Sequence, residues 1–231
     1  EGLLETITAL GKPTVLLLST GSAMSINFAD EHCDAIIQTW YPGALGGVAA
    51  ANILFGEVAP SGKLPVTFYH SVEELPEFTD YSMKNRTYRY MENEALYPFG
   101  YGLSYSKAAY SDLKVPASVG KDDDFTVSVT VSNTGKYDMD EVVEIYIKDN
   151  ESKFAVRNHS LCAFKRVSLK AGESKVVEIP VKNMALTVVD DHGERYVDST
   201  KFTLYVGGSQ PDARSVALTG AAPLSAEISV K

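Results

Sequence analysis

The chain has 231 residues, of which 45% are hydrophobic and 22% are charged, and its formal net charge is -9. This acidic balance, with basic residues scattered along the chain, argues against nucleic-acid phosphates and anionic membrane surfaces as partners. No apolar run approaches the roughly 20 residues that cross a bilayer, so we expect no membrane span.

Cysteine and histidine usage gives no sign of a disulfide framework or a metal site. The two cysteines, Cys33 and Cys162, fall in different predicted domains, so a structural disulfide is not expected and the redox compartment stays open. The four histidines lack the spacing of metal ligands. We therefore predict no metal and no cofactor.

Helix and strand patterns alternate up to residue 69, which indicates a parallel sheet with covering helices. The apolar patterns predict helix 1–10, strand 14–19, helix 23–32, strand 33–40, helix 43–55 and strand 64–69. The run at 14–19 is apolar throughout, as is typical of a strand buried on both faces.

Residues 71–96 lose this periodicity, and a loop of this length is usually functional or packs on something outside the chain. Four of its side chains, Arg86, Tyr88, Arg89 and Glu92, combine aromatic faces and guanidinium groups with a carboxylate, a set that suits contact with sugars or with another domain. We favour interdomain contact over substrate binding for this group.

The same loop is rich in carboxylates, and sugar-cleaving enzymes commonly need two of them roughly 5 to 10 Å apart. Acidic loop residues are more often simply solvated, so we assign no catalytic role to any of them. They are Glu73, Glu74, Glu77, Asp80, Glu92 and Glu94.

An aromatic hinge over residues 97–109 separates this region from the rest of the chain. Its sequence YPFGYGLSY, at 97–105, cannot form a helix, because Pro98 lacks an amide donor and Gly100 and Gly102 permit unusual backbone angles. The rings need a packed surface, so we expect them at a junction between two domains, residues 1–96 and 110–231.

After the hinge the hydrophobic period becomes two. Phe125, Val127 and Val129 alternate with polar residues, and similar runs follow between turn residues. Seven or eight such strands, with no helix between them, predict an antiparallel sandwich of immunoglobulin or fibronectin type III character. The predicted fold class is thus a partial parallel-sheet α/β domain followed by an all-β sandwich.

Four motifs, in order, resemble glycoside hydrolase family 3. WYPGALGG at 40–47 and LFGEVAPSGKLPVTF at 54–68 are similar to the C-terminal sandwich domain of that family. TYRY at 87–90 and the hinge at 97–105 resemble its passage into a fibronectin type III-like domain.

The resemblance implies a β-glucosidase, with β-xylosidase as the second interpretation, that removes terminal β-linked sugars with retention of configuration. In that mechanism one carboxylate attacks the anomeric carbon, and a second protonates the leaving oxygen and then activates water. The family's aspartate nucleophile belongs to a barrel domain without a counterpart in these residues. Its acid/base glutamate belongs to a loop preceding the first helix here, so we assign no catalytic residue and expect the chain alone to be inactive.

The chain is therefore expected to be a fragment whose partners are β-linked glucosides or oligosaccharides, the missing barrel and early sandwich segment, or a second copy of itself. A cut parallel sheet would expose a strand edge and apolar faces that another segment must cover. The alternative function is a module that binds carbohydrate or protein without hydrolysis. The cytoplasm and a secreted or periplasmic location both remain open.

Overall fold

The computed structural model describes residues 2–231, and its first part alternates short helices and strands. We call residues 2–96 the α/β unit; its elements are α1 (Gly2–Thr8), β1 (Val15–Leu18), α2 (Asn27–His32), β2 (Ala35–Gln38), α3 (Gly46–Leu54) and α4 (Thr87–Tyr90). The first five lie within the predicted ranges and are shorter than them. The predicted first helix includes Glu1, which lies outside the described residues.

Strands β1 and β2 pair in parallel, from Val15 opposite Ala35 to Leu18 opposite Gln38. Leu16 and Leu18 pack in a small apolar cluster around Phe68 and Leu96. Val15 and Leu17, on the other face of β1, are each 41% exposed. Burial of β1 on both faces is therefore not observed in this chain, since no layer within residues 2–231 covers its second face.

Other large apolar side chains of the α/β unit are also exposed, most of them on or next to its helices. We call these side chains, with those of β1, the exposed apolar set: Leu3, Leu10, Val15, Leu17, Leu45, Val48 and Phe55. The sequence predicted this exposure from a parallel sheet that is only partly present.

The strand predicted at 64–69 is not formed. This segment makes a single antiparallel bridge, between Phe68 and Tyr97. The Leu64 amide donates to the Tyr101 carbonyl and the Gly100 amide to the Leu64 carbonyl, both at 2.8 Å. Pro65 and Pro98 interrupt the pairing because neither has an amide hydrogen.

The second part of the chain is a β-sandwich, which we call the sandwich unit (residues 110–231, entered by a strand that starts at Ala108). Its elements are β3 (Ala108–Lys114), β4 (Ser118–Val119), β5 (Phe125–Asn133), β6 (Met139–Asp149), β7 (Ser160–Leu169), β8 (Ser174–Val181), β9 (Val188–Val189), β10 (Arg195–Tyr196), β11 (Lys201–Gly207), α5 (Ala213–Thr219) and β12 (Leu224–Val230). One sheet has the order β4-β12-β11-β6-β7, a second has β3-β5-β8, and β9 and β10 form a small ribbon.

The apolar residues that alternate with polar ones in the sequence form the hydrophobic core between the two main sheets. Val127, Val129 and Val131 of β5 are fully buried, as are Val143 and Ile145 of β6. The predicted fold class, an α/β domain with a parallel sheet followed by an all-β sandwich, is confirmed.

Two details of the sandwich differ from the prediction. Strands β4 and β12 pair in parallel rather than antiparallel. A helix, α5, stands between β11 and β12, where none was expected. It begins at the N-cap Asp212, whose side chain accepts from the Ser215 amide, and ends at Gly220 with φ of 72°.

Within residues 2–231 no helix has the length and apolar character for crossing a bilayer.

Candidate functional site

Arg86 holds the loop that precedes α4. Its guanidinium donates to the Glu77 carbonyl at 2.8 Å and to the Asp80 carbonyl at 3.2 Å. Three non-glycine residues beside it, Met83, Asn85 and Thr87, have φ between 56° and 64°. Such left-handed angles are costly and persist only where surrounding contacts fix them, so the segment is a shaped loop.

Tyr88 lies in the contact between the two units. Its ring stacks on Phe99 of the hinge with centroids 4.3 Å apart, and it meets the edge of Tyr146 on β6 at 6.1 Å. Its hydroxyl accepts a hydrogen bond from the Leu161 amide of β7 at 2.8 Å. The Asn158 side-chain amide donates hydrogen bonds to the Tyr88 and Met91 carbonyls at 2.8 and 2.9 Å.

The other two candidates lie at the surface. The Arg89 guanidinium is exposed and has no hydrogen-bond or ion-pair partner within residues 2–231. Glu92 pairs with Arg157 of the sandwich unit at 3.0 Å and with Lys84 at 3.8 Å. The four candidates therefore do not converge: Arg86 serves its own loop, Tyr88 and Glu92 meet the sandwich unit, and Arg89 points to solvent.

A buried polar cluster at the junction escaped the sequence analysis. Lys63 donates to the Gly208 carbonyl at 2.8 Å and pairs with Glu141 of β6 at 3.4 Å. Tyr110 donates to the same carboxylate at 2.8 Å. Glu141 occupies a core-facing position of β6, in step with Val143, and a charge at such a position is the signal that could have revealed it.

Glu144 and Tyr146 lie on the opposite face of β6, where the hinge covers them. The Tyr146 hydroxyl donates to Glu144 at 2.9 Å. Burial raises the pKa of Glu144 from 4.5 to about 7, against the lowering effects of Lys63 and of this hydrogen bond. A Cβ on Gly100 would lie 2.3 Å from the Tyr146 hydroxyl oxygen, so only glycine, here with φ of 78°, fits at this point.

A cavity of about 430 Å³ lies on the seam between the two units. We call it the seam cavity. Its wall from the α/β unit includes Thr67, Tyr88 and Glu92. Its wall from the sandwich unit is mostly polar and consists of Lys148, Asn158, His159, Tyr205, Gln210, Pro211, Asp212, Ala213 and Arg214.

His159 is a buried residue of the cavity wall and shares a hydrogen bond of 3.0 Å with Gln210. Its ring meets the edge of Tyr146 at 5.3 Å and lies 5.7 Å from Tyr88. Burial lowers the pKa of His159 below 6.5, which keeps the imidazole neutral at pH 7. The seam cavity thus combines a neutral imidazole, aromatic rings and charged groups of both signs.

Comparison with protein-family models divides the chain in two. Residues 1–105 match the glycosyl hydrolase family 3 C-terminal domain, and residues 141–210 match the fibronectin type III-like domain.

Curated relatives align along nearly the whole chain. A putative β-xylosidase of Formosa agariphila is 41% identical over 92% of this chain and 28% of that protein. A periplasmic β-glucosidase of Salmonella typhimurium is 35% identical over 89% of this chain and 28% of that protein. The chain therefore spans less than a third of the length of these relatives.

Solved structures agree with the sequence relatives. A β-glucosidase from Erythrobacter marinus superposes with a TM-score of 0.84 at 34% identity, covering 100% of this chain and 30% of that chain. A β-glucosidase from Listeria innocua in complex with gluconolactone has a TM-score of 0.82 at 26% identity, over 99% of this chain and 32% of that chain. The chain belongs to glycoside hydrolase family 3, of which it carries the C-terminal domain followed by a fibronectin type III-like domain.

Proposed function

We propose that this chain is the C-terminal portion of a retaining, exo-acting β-glycosidase that hydrolyses terminal β-linked sugars. The observation that carries the proposal is the likeness to β-glucosidase structures over the full length of both units, including the junction between them. In this reaction a carboxylate nucleophile and an acid/base carboxyl act in turn on the anomeric bond.

The catalytic carboxylates belong, in this proposal, to the part of the parent protein outside this chain. The acidic loop residues support that placement. Glu92 is neutralised by Arg157 and Lys84, and Asp80 accepts from the Ser82 amide at 2.8 Å, which lowers the pKa of its carboxyl group. The lowered pKa of Asp80 is the opposite of the raised pKa that suits a general acid near neutral pH.

The exposed apolar set supports a covering partner. Exposed leucine, valine and phenylalanine side chains in this number are unusual on an isolated surface and mark an interface. We infer that the barrel and the early segment of the parent's α/β domain cover them, in preference to a second copy of this chain.

Of the group Arg86, Tyr88, Arg89 and Glu92, we assign Tyr88 and Glu92 to interdomain contact rather than to sugar binding. Tyr88 and Glu92 carry this assignment, because their ring and carboxylate meet the hinge and the sandwich unit. Arg86 has a supporting role, since it fixes the loop that leads into Tyr88.

β-Glucosides are the proposed substrates, and β-xylosides are a second candidate that a specific observation favours. Relatives that are 41%, 40% and 36% identical to the chain all carry β-xylosidase names, whereas the solved relatives described above are β-glucosidases. The two sugars differ in the exocyclic hydroxymethyl group, so the pocket that grips the terminal residue decides between them.

The test is hydrolysis of nitrophenyl β-glucoside and nitrophenyl β-xyloside by three samples: the chain alone, the complete parent protein, and the chain mixed with the remainder of the parent. We expect activity from the parent and from the mixture only. Activity of the chain alone would overturn the placement of the catalytic carboxylates. An inactive parent would overturn the glycosidase proposal and favour a module that only binds.

A further inference from the structure

We propose that the contact between the hinge and β6 opens and closes with pH: it stays closed when Glu144 carries a proton and opens more readily when this carboxyl group ionises. We call Gly100, where it lies against the Glu144 and Tyr146 side chains, the hinge contact. The opening is local, with both units folded, and it does not depend on the proposed glycosidase function.

The hinge backbone lies directly on the Glu144 carboxyl group. A Cβ on Gly100 would be 2.6 Å from the Glu144 Oε2 atom and would also collide with the Tyr146 hydroxyl oxygen. The Gly100 amide donates to the Leu64 carbonyl, and the Leu64 amide donates to the Tyr101 carbonyl, both at 2.8 Å. The hinge is thus tied to the α/β unit, and water can reach this side of the carboxyl group only if the hinge moves.

Beside the hinge, the same face of the sheet is open to solvent. Glu144 lies opposite Phe164 of β7, so the two side chains share one face. Phe164 is 66% exposed, whereas Glu144 is 3% exposed. The hydrophobic core lies on the other face, where Val143 and Ile145 are fully buried. Separation of the hinge would therefore bring water to Glu144 without opening the core.

One ammonium group serves two carboxyl groups at this contact. Lys63 pairs with Glu141 at 3.4 Å. Among residues 2–231 no cation lies within ion-pair distance of Glu144, which accepts a hydrogen bond from the Tyr146 hydroxyl at 2.9 Å. A buried carboxylate without its own cation is costly, so the closed contact favours the protonated form. Burial accordingly raises the pKa of Glu144 to about 7, although Lys63 lowers it.

The direction of the effect follows from the proton on Glu144. When the contact is open, the carboxyl group meets water and has its ordinary pKa of 4.5. Between pH 4.5 and about 7 the closed contact holds the proton and the open contact releases it. Opening therefore becomes easier as the pH rises through this window, and the effect is complete above it.

Other titratable groups surround the contact. Burial raises the pKa of Tyr110 on β3 and of Tyr146, so both phenols stay uncharged in this window. The ring of His159 meets the edge of Tyr146, and burial lowers the pKa of this imidazole, so acid acts on His159 in the opposite direction. Tyr88 and Asp212 also lie near Tyr146. A comparison in which only Glu144 changes removes the contributions of these groups.

The experiment is hydrogen exchange of the complete parent protein and its Glu144→Gln variant from pH 5 to pH 8, measured by mass spectrometry and corrected for the intrinsic exchange rate at each pH. The amides of Leu64 and Gly100 report on the hinge contact. Strand β5 reports on the sandwich core. We expect the protection of the hinge amides, relative to the variant, to fall at least about tenfold from pH 5 to pH 7, while the protection of β5 stays constant.

Two further variants sharpen the comparison. Tyr146→Phe removes a hydrogen bond that lowers the pKa of Glu144, so the fall in protection should continue to a higher pH than in the wild type. Asp140→Asn is the control on the same strand. Hydrogen bonds from Ser168 and Arg166 lower the pKa of Asp140, so its titration lies below the window and the hinge amides should behave as in the wild type.

Two results would overturn the proposal. The first is the same pH dependence of hinge protection in the wild type and Glu144→Gln. The second is a fall of β5 protection in step with the hinge, because the sandwich unit would then be unfolding as a whole. If Glu144→Gln does not fold, Tyr146→Phe decides, and an unchanged pH range in that variant refutes the proposal. Hydrogen exchange gives these answers whether or not the parent hydrolyses glycosides.

Discussion

Glu144 makes the stability of the junction depend on pH. Between pH 4.5 and about 7 the folded protein keeps the proton on this carboxyl and the unfolded chain releases it. The folded state therefore binds more protons in that window, and stability falls as pH rises through it. This shift in pKa corresponds to a loss of stability on the order of 3 kcal/mol.

We predict that Glu144→Gln removes this loss. Glutamine keeps an acceptor for the Tyr146 hydroxyl but cannot ionise, so the variant should gain stability over the wild type as pH rises from 4.5 to 8. Urea unfolding of both proteins at several pH values measures the difference. The lowered pKa of His159 contributes equally to both proteins, so its effect cancels in the difference between their unfolding free energies. A difference that does not change with pH would refute the raised pKa of Glu144.

Lys63 should stabilise the junction through its buried ion pair with Glu141. The two side chains are 13% and 8% exposed, and removal of one partner leaves an uncompensated buried charge. We expect Lys63→Met to cost about 3 kcal/mol in the free energy of unfolding. Adding Glu141→Gln should restore most of that loss.

A matched control is available at the same junction. Arg166 donates to the Ser61 hydroxyl at 3.0 Å and pairs with Asp140, with side chains 62% and 30% exposed. Arg166→Met should cost less than about 1 kcal/mol, because exposed pairs contribute little. Equal losses in the two variants would contradict a special role for Lys63.

At the scale of elements, the Arg86 guanidinium donates to two carbonyls of the loop before α4, those of Glu77 and Asp80. Phe78 and Tyr81 in this loop are 88% and 84% exposed, yet the backbone around them is fixed by Arg86. We predict that Arg86→Ala speeds chymotrypsin cleavage after these rings at least about tenfold, because the loop opens more often.

Arg89→Ala is the control for this loop, since its guanidinium has no partner in residues 2–231. Cleavage rates are followed by mass spectrometry under identical protease concentrations. If both variants are cut as slowly as the wild type, Arg86 does not hold the loop.

Sequence reasoning placed elements well where a local pattern determines them. The period of two in β5 and β6 gave the sandwich core, and the alternation of helix and strand gave β1 and β2. Sequence reasoning failed at 64–69. This apolar segment has the character of a strand, but Pro65 and Pro98 interrupt its backbone pairing. Sequence reasoning also missed α5, although Asp212 and Gly220 are ordinary cap residues at its two ends.

The junction was less accessible to such reasoning. The aromatic content around Tyr88 indicated a contact, and the ring does lie between hinge and sandwich. Glu144 gave no local signal, because its face of β6 would be solvent-exposed in an isolated sandwich. Gly100 of the hinge, far earlier in the chain, lies against its carboxylate, where a Cβ on this glycine would be 2.6 Å from the Glu144 Oε2 atom.

For the whole molecule, the exposed apolar set predicts association. The chain expressed alone should elute as oligomers or aggregates and bind a hydrophobic dye, because leucine, valine and phenylalanine side chains face water. The complete parent should elute without such species. Size-exclusion chromatography with light scattering measures this, and a dye-negative monomer of the isolated chain would refute the prediction.

The bond from Arg214 to the Leu96 carbonyl has a consequence for synthesis. The two residues are 118 positions apart. At roughly 5–20 residues per second, the ribosome needs about 6 to 24 s to deliver the arginine after the leucine. During that interval the Leu96 carbonyl lacks this donor, so this contact of the junction forms only after Arg214 has been synthesised.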